Sequence, residues 1–299
     1  MPRDWEQQFA AWARPPASTE QERCDNAASA VRNAIQASQK LRARGVSIFT
    51  QGSYRNNTNV RKDSDVDIGV LSTATFFHEP LPQGWTQQSL GFGNATYTYD
   101  QFKNEVEEAL VSYFGRTAVT RGNKAFDVHE TSYHVEADVA AFFEHRRYQQ
   151  DGSYHKGVAL LTDREQKRVV NWPEQHYSNG VCKNKFTATR FKSVVRILKA
   201  LSAEMASKGI RSGDIPGFLN ECSVYNVPGD LFGKPSYLSE VRGVLGHLYN
   251  NTKADADCSK WLEVSELKWL FEPSQKWTSQ HVNAFALAAW TYDGLGGTQ

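Results

Sequence analysis

The stretch that most narrows what this chain can fold into is residues 65–72, Asp-Val-Asp-Ile-Gly-Val-Leu-Ser. Side chains alternate across a β-strand, so Asp65, Asp67 and Gly69 share one face while Val66, Ile68 and Val70 share the other. The β-branched face calls for a sheet with a buried side, and both carboxylates then point the same way. Just upstream, Val46, Ile48 and Thr50 alternate as a short strand that delivers the chain to Gln51-Gly52-Ser53, and a polar, turn-rich segment joins the two strands.

Before these strands the Pro15-Pro16 break is followed by Ser18 with Gln21 three residues on, the spacing of a capping box. Ala27, Val31, Ile35 and Leu41 continue at helical spacing, so one long helix is expected, stopped by Gly45. After the strands, residues 78–98 form an irregular excursion, and Phe102, Val106, Leu110 and Tyr113 line one face of a helix that Gly115 ends. TAVTR and AFDVHE flank a Gly122-Asn123 turn as a hairpin, and HVEADVAAFF is a further strand. On that strand His134, Glu136 and Asp138 face away from Val135, Ala137 and Val139, and a carboxylate in mid-strand is unusual enough to mark. From about residue 160 loops through Asn171-Trp172-Pro173 lead to helical stretches near 187–207, 215–226, 236–250 and 279–293. One helix, a small mixed sheet with helices and then a helical half make an α+β arrangement.

At 299 residues the chain can bury a large core without covalent staples, and 40% hydrophobic with 22% charged residues suits a folded protein. A formal net charge of +1 gives no bulk field to draw the molecule to nucleic acid or an anionic membrane. The N-terminal stretch carries charges and a proline pair in place of the apolar run of a signal peptide, and no segment approaches the span of a bilayer, so a cytoplasmic location is expected. Cys24, Cys182, Cys222 and Cys258 lie far apart without CxxC or zinc-type spacing and are expected to be free thiols.

Nucleotidyl transfer needs charge stabilised on a phosphate, an acceptor hydroxyl activated and the pyrophosphate held. Two magnesium ions about 4 Å apart do all three and require several carboxylate oxygens in a small space. Asp65 and Asp67 on one strand face supply a bridging pair, and Asp138 on another strand is the natural third ligand, able also to take the proton of the attacking hydroxyl. Gly52 allows close approach of the main chain, and Ser53 can donate to a phosphate oxygen. An isolated Asp-x-Asp is in most chains a solvated strand end. Here it follows a strand, Gly-Ser and a polar turn, lies inside a β-branched run, and is accompanied by a third in-strand aspartate, a conjunction that favours metal-dependent phosphate chemistry.

The segment QGSYRNNTNVRKDSDVDIGV resembles the nucleotidyltransferase signature of the polymerase beta superfamily, and most of the chain resembles the CD-NTases, bacterial cGAS/DncV-like relatives of cyclic GMP-AMP synthase and oligoadenylate synthase. The resemblance implies a polymerase beta-like core with a mixed sheet over residues 1–165, preceded by a long N-terminal helix that spans both lobes. It also implies a helical lobe over 166–299, with the active cleft between the two. It implies nucleotide contacts for Arg196 and Lys199 in FKSVVRILKAL, three residues apart on one helix face, and a base-stacking role for Phe218 in IPGFLNECSVYNV. FKSVVRILKAL is equally readable as a half-buried helix with Phe191, Val194, Val195, Leu198 and Leu201 inward, and Phe218 as a core aromatic. The implied activity is template-independent joining of nucleoside triphosphates, ATP among them, into a cyclic di- or oligonucleotide second messenger for anti-phage (CBASS) defence. Two Mg2+ ions, replaceable by Mn2+, would bind at Asp65, Asp67 and Asp138, and a separate effector would respond to the product. The zinc-bearing insertion of the animal enzyme has no counterpart here, so no DNA activator is expected.

Two other readings stay open at this level. The same chemistry could serve RNA, a small molecule or a protein as acceptor, though RNA tailing calls for a basic track that a neutral net charge disfavours mildly. A catalytically silent nucleotide-binding scaffold would show loss of a metal carboxylate, and all three are present.

Overall fold

The structure, a computed structural model, describes residues 3–60, 65–129, 131, 135–273 and 275–297. In chain order its elements are α1 (Trp5–Trp12), α2 (Ser18–Ala37), α3 (Gln39–Ala43), β1 (Ser47–Thr50), α4 (Gly52–Asn56), β2 (Val66–His78), α5 (Tyr99–Phe114), β3 (Val119–Arg121), β4 (Phe126–Val128), β5 (Ala137–Tyr148), β6 (Tyr154–Leu161) and β7 (Arg168–Asn171). The helices α6 (Pro173–Phe186), α7 (Arg190–Ser207), α8 (Gly217–Tyr225), α9 (Tyr237–Thr252) and α10 (Ser279–Thr291) follow. The chain divides into two compact units, one of Ala17–Tyr54 with Asp63–Pro173 and one of Met1–Pro16, Arg55–Lys62 and Glu174–Gln299. This is a mixed α+β architecture, the class expected from the sequence.

The first of these units is built on a seven-stranded sheet ordered β1-β2-β5-β4-β3, with β6 added to β5 and β7 to β6. β2 and β5 run parallel and the other pairings are antiparallel, so the sheet is mixed. Val66, Ile68 and Val70 are fully buried, as the alternation requires. α2 and α5 pack against each other and against the sheet. Their apolar stripes, Ala27, Val31 and Ile35 on one and Phe102, Val106 and Leu110 on the other, belong to a single core with the strands. Each fully buried residue of Leu or Phe size contributes about 1.5–3 kcal/mol, and the Phe102 and Phe143 rings stack at 5.4 Å across the helix–sheet boundary.

Several local expectations change. Ala17, not Ser18, caps α2, and no side-chain cap bond forms, because the helix already includes Ser18. The expected long helix is interrupted at Ser38, whose extended backbone (ψ 116°) ends α2 and whose hydroxyl accepts from Leu41 N at 3.4 Å to start α3. The sheet is larger than expected because β7 lies where a loop was read and β6 falls mostly in a stretch before residue 160 to which no element was assigned. Val158, Ala159 and Leu160 are all buried, so β6 has no alternation there to betray it. α6 begins at a proline, a favoured first helical position, but buries only His176 and Gly180, which is why its sequence shows no apolar period.

The helical unit has its own core. Phe191, Val194, Val195, Leu198 and Leu201 of α7 are fully buried, and Trp5 and Phe9 of α1 pack into the same cluster. The four cysteines are free thiols. Among the described residues no helix is long and apolar enough to cross a membrane.

Candidate active site

β1 ends beside β2, and Gln51 N donates to the Asp67 carbonyl at 2.9 Å, so the turn into α4 is held against the β2 strand. Gly52 takes a left-handed backbone (φ +67°), and a Cβ built on it would lie 1.9 Å from Asp67 Oδ2. The glycine is therefore required by Asp67 itself: only hydrogen fits between this turn and the carboxylate. Ser53 follows in the first turn of α4, and its hydroxyl has no hydrogen-bond partner among the described residues. Gly69, two residues along the same face as Asp67, makes room for the Phe49 ring, 2.3 Å from where its Cβ would sit.

The register of the sheet assembles the acids. Asp67 on β2 lies directly across from Asp138 on β5, and Asp138 lies directly across from Asp127 on β4. Neighbouring strands are about 4.8 Å apart, so three carboxylates form a row perpendicular to the strands. Asp65 sits one residue before β2, where Val66 N donates to Glu136 O at 3.0 Å and extends the ladder. The Asp138 carboxyl is pushed up to about 7, first by burial, then by the Asp67 charge, a hydrogen bond with Asp127 and the charges of Asp127 and Asp65. Asp65 is raised too, by burial and by Glu136 and Asp127. Asp138 and Asp65 are thus carboxyls whose charged form is disfavoured by burial and neighbouring acids, and such a donor set is suited to hard dications. Among the described residues no three acidic, histidine or cysteine side chains already converge as a closed cage, so the fit lies in donor chemistry and register rather than in a preformed coordination shell.

Asp127 is the acid that sequence reading passed over. It lies between buried Phe126 and Val128, the same in-strand carboxylate signal that marked Asp138. His134 lies outside the described residues.

In the helical unit, α7 and α8 bring Lys199 and Phe218 into one network. Lys199 Nζ donates to Glu221 Oε2 at 3.0 Å and to Thr58 Oγ1 at 3.1 Å, and Thr58 donates to the same Glu221 oxygen at 2.8 Å. His176 Nε2 meets Glu221 Oε1 at 3.1 Å. Burial alone would raise Glu221, yet Lys199, His176 and Thr58 together hold it far below the usual carboxylate range. Phe218 is 39% exposed, its ring 5.7 Å from both His176 and Trp277.

Arg196 is placed differently from its expected partner Lys199. Its Nε and Nη2 donate to Ala13 O at 2.9 and 2.6 Å, and its Nη1 to Asn57 O at 2.6 Å. These bonds tie together two chain segments, one of them at Asn57, whose backbone is left-handed (φ 55°). A guanidinium is suited to this, since its planar fork can satisfy several carbonyls at once.

Comparison with known proteins adds three findings. Residues 178–294 match the family described as the cGAS/DncV-like nucleotidyltransferase C-terminal helical domain. A cyclic dipyrimidine nucleotide synthase, CdnE, of Legionella pneumophila is 43% identical over 293 residues, covering 97% of this chain and 98% of that protein. Two solved structures superpose over nearly the whole chain. The Elizabethkingia meningoseptica CdnE cyclic dinucleotide synthase with GTP and Apcpp gives a TM-score of 0.81 at 35% identity, covering 98% of this chain and 100% of that one. The Rhodothermus marinus CdnE c-UMP-AMP synthase with Apcpp and Upnpp gives 0.86 at 29% identity, covering 98% and 97%.

Proposed function

The chain belongs to the CD-NTases, the bacterial cGAS/DncV-like nucleotidyltransferases, and from that premise we infer the part its own residues play. It is an enzyme that joins nucleoside triphosphates into a cyclic di- or oligonucleotide second messenger of anti-phage defence. The family works by two-metal catalysis. We assign Mg2+, with Mn2+ able to replace it, to Asp65, Asp67 and Asp138. When bound, such ions stabilise charge on the reacting phosphate and make the attacking hydroxyl more acidic.

The observation that carries this assignment is the register of Asp67 against Asp138 on parallel strands, with the Gly52 main chain pressed against Asp67. Asp138 takes the proton of the acceptor hydroxyl. Ser53, with an unengaged hydroxyl, donates to the triphosphate of the donor nucleotide. Lys199 pairs with phosphate oxygens in competition with Glu221, and the exposed Phe218 ring stacks on a base. Arg196 acts at one remove, through the Asn57 carbonyl, by holding the segment that carries Thr58. Pyrimidine triphosphates are the assigned substrates, because the relative at 43% identity is a cyclic dipyrimidine synthase. A separate effector protein responds to the product.

The test is incubation of the purified protein with each labelled nucleoside triphosphate and Mg2+ or Mn2+, followed by phosphatase. A phosphatase-resistant small product is expected from UTP or CTP, and none from a folded Asp65→Asn/Asp67→Asn variant. Retained synthesis by that variant would sink the metal assignment, product only from purines would sink the substrate assignment, and label transferred to added RNA would favour a tailing enzyme.

A further inference from the structure

A cavity of about 510 Å³ opens within the helical unit between the end of α1, Asn57 and the start of α7. Arg14, Lys192 and Arg196 line it, and no aspartate or glutamate does. Lys192 is only 9% exposed, yet among the described residues its ammonium has neither a hydrogen bond nor an ion pair; the face of Tyr177 is 5.7 Å away. Arg196 lies one turn along the same helix face, and its partners are neutral oxygens of Ala13, Asn57 and Ser193. Two cations four residues apart repel, and burial strengthens the repulsion. Glu221 is the carboxylate that acts on Lys192 electrostatically, and it is already hydrogen-bonded by Lys199, Thr58 and His176.

The remaining lining is also rich in donors. Asn184 Oδ1 accepts from Lys192 N at 3.0 Å, which leaves its amide nitrogen to donate. Asn57 and Thr189 add an amide and a hydroxyl, the Ser193 hydroxyl donates to Thr189 O at 3.2 Å, and Tyr237 adds a ring. α7 is 18 residues long and begins here; Thr189 itself makes no side-chain cap bond, and Phe191 N and Lys192 N already donate to Thr187 Oγ1 and Asn184 Oδ1 at 3.0 Å, so what the helix start adds to this space is the positive end of its dipole rather than free amides. Cations, neutral donors and a helix N-terminus, with no acid to balance them, are complementary to a group that only accepts hydrogen bonds and carries negative charge.

We propose that this cavity is a binding site for a phosphate-bearing small molecule, with Lys192 as its principal contact, and that it is separate in its residues from the carboxylate row. Its volume is in the range of small-ligand sites, about 300–1,000 Å³, so a mononucleotide fits as well as free phosphate or pyrophosphate. Ligand charge relieves the repulsion between Lys192 and Arg196, so occupancy stabilises the helical unit.

The experiment uses the full chain carrying Asp65→Asn/Asp67→Asn in the presence of a chelator, which removes metal-dependent binding at the carboxylate row. Inorganic phosphate, pyrophosphate, AMP and UMP are each titrated by calorimetry, in that background and with Lys192→Met added. Saturable one-to-one binding of at least one probe is expected, weakened at least tenfold by Lys192→Met and retained by Lys192→Arg. Tightest binding by AMP or UMP identifies a nucleotide site, and by phosphate or pyrophosphate a site for the free anion. Melting of the ligand-free protein supplies the second readout. Loss of an unpaired buried cation is expected to raise the melting temperature, whereas loss of a purely structural lysine lowers it. No saturable binding by any probe, binding indifferent to Lys192→Met, or a lower melting temperature in Lys192→Met would each overturn the proposal.

Discussion

Replacing Gly52 by alanine separates two effects that a single clash would normally confound. Gly52 and Gly45 both hold left-handed backbones, at φ +67° and +64°, but a Cβ on Gly45 meets nothing within 4 Å while one on Gly52 lies 1.9 Å from Asp67 Oδ2. The backbone penalty for a non-glycine residue in that region is about 1–2 kcal/mol, so each variant should lose a few degrees of melting temperature. Only Gly52→Ala also forces Asp67 to move, by about 1 Å to reach a tolerable contact, and a misplacement of that size costs on the order of 100-fold in rate. Synthesis of the phosphatase-resistant product, measured at saturating Mg2+ below both melting transitions, should therefore fall about 100-fold in Gly52→Ala and stay near wild type in Gly45→Ala. Equal activity in the two variants would refute the reasoning, because the turn at Gly52 would then not set the position of Asp67.

Three further outcomes follow from other contacts. Lys199→Met leaves the buried Glu221 without its cation and should cost about 3–5 kcal/mol, whereas Lys199→Met/Glu221→Leu should recover most of the melting temperature but not the activity; a double variant as unstable as the single one would show that the pair is not the unit that matters. Asp127→Asn removes one charge from the row, and the Mg2+ concentration for half-maximal synthesis should rise about tenfold, the scale seen for groups that support metal ligands; an unchanged metal requirement would make Asp127 a bystander. Burial would raise Glu79, but hydrogen bonds from His145 and Arg147 hold it down at about 2. Its contribution is present above the ordinary value of 4.5 and is lost as pH falls from there toward 2, so Glu79→Gln should flatten the decline in melting temperature across that window, and an unaltered decline would assign acid lability to other groups.

The sequence by itself determined the features that depend on neighbours a few residues apart. Alternation placed Asp65 and Asp67 on the face opposite Val66 and Ile68, a glycine marked the turn before Ser53, and apolar spacing located α5 and α7. These signals are local because strand and helix geometry repeat every two or 3.6 residues. Only the tertiary structure decided which distant residues meet. The parallel pairing of β2 with β5 sets Asp67 against Asp138, and the antiparallel pairing of β4 adds Asp127, an acid whose in-strand position was visible in the sequence but whose partners across the sheet were not. β6 and α6 escaped notice because one has no alternation in its buried run and the other buries too little to show a period. Arg196 and Lys199 have nearly the same local context on α7, yet one holds main-chain carbonyls and the other a buried carboxylate. Helical spacing fixes the direction in which a side chain leaves its helix, and what it meets there is set by segments far away in the chain, as Ala13 is, 183 residues from Arg196.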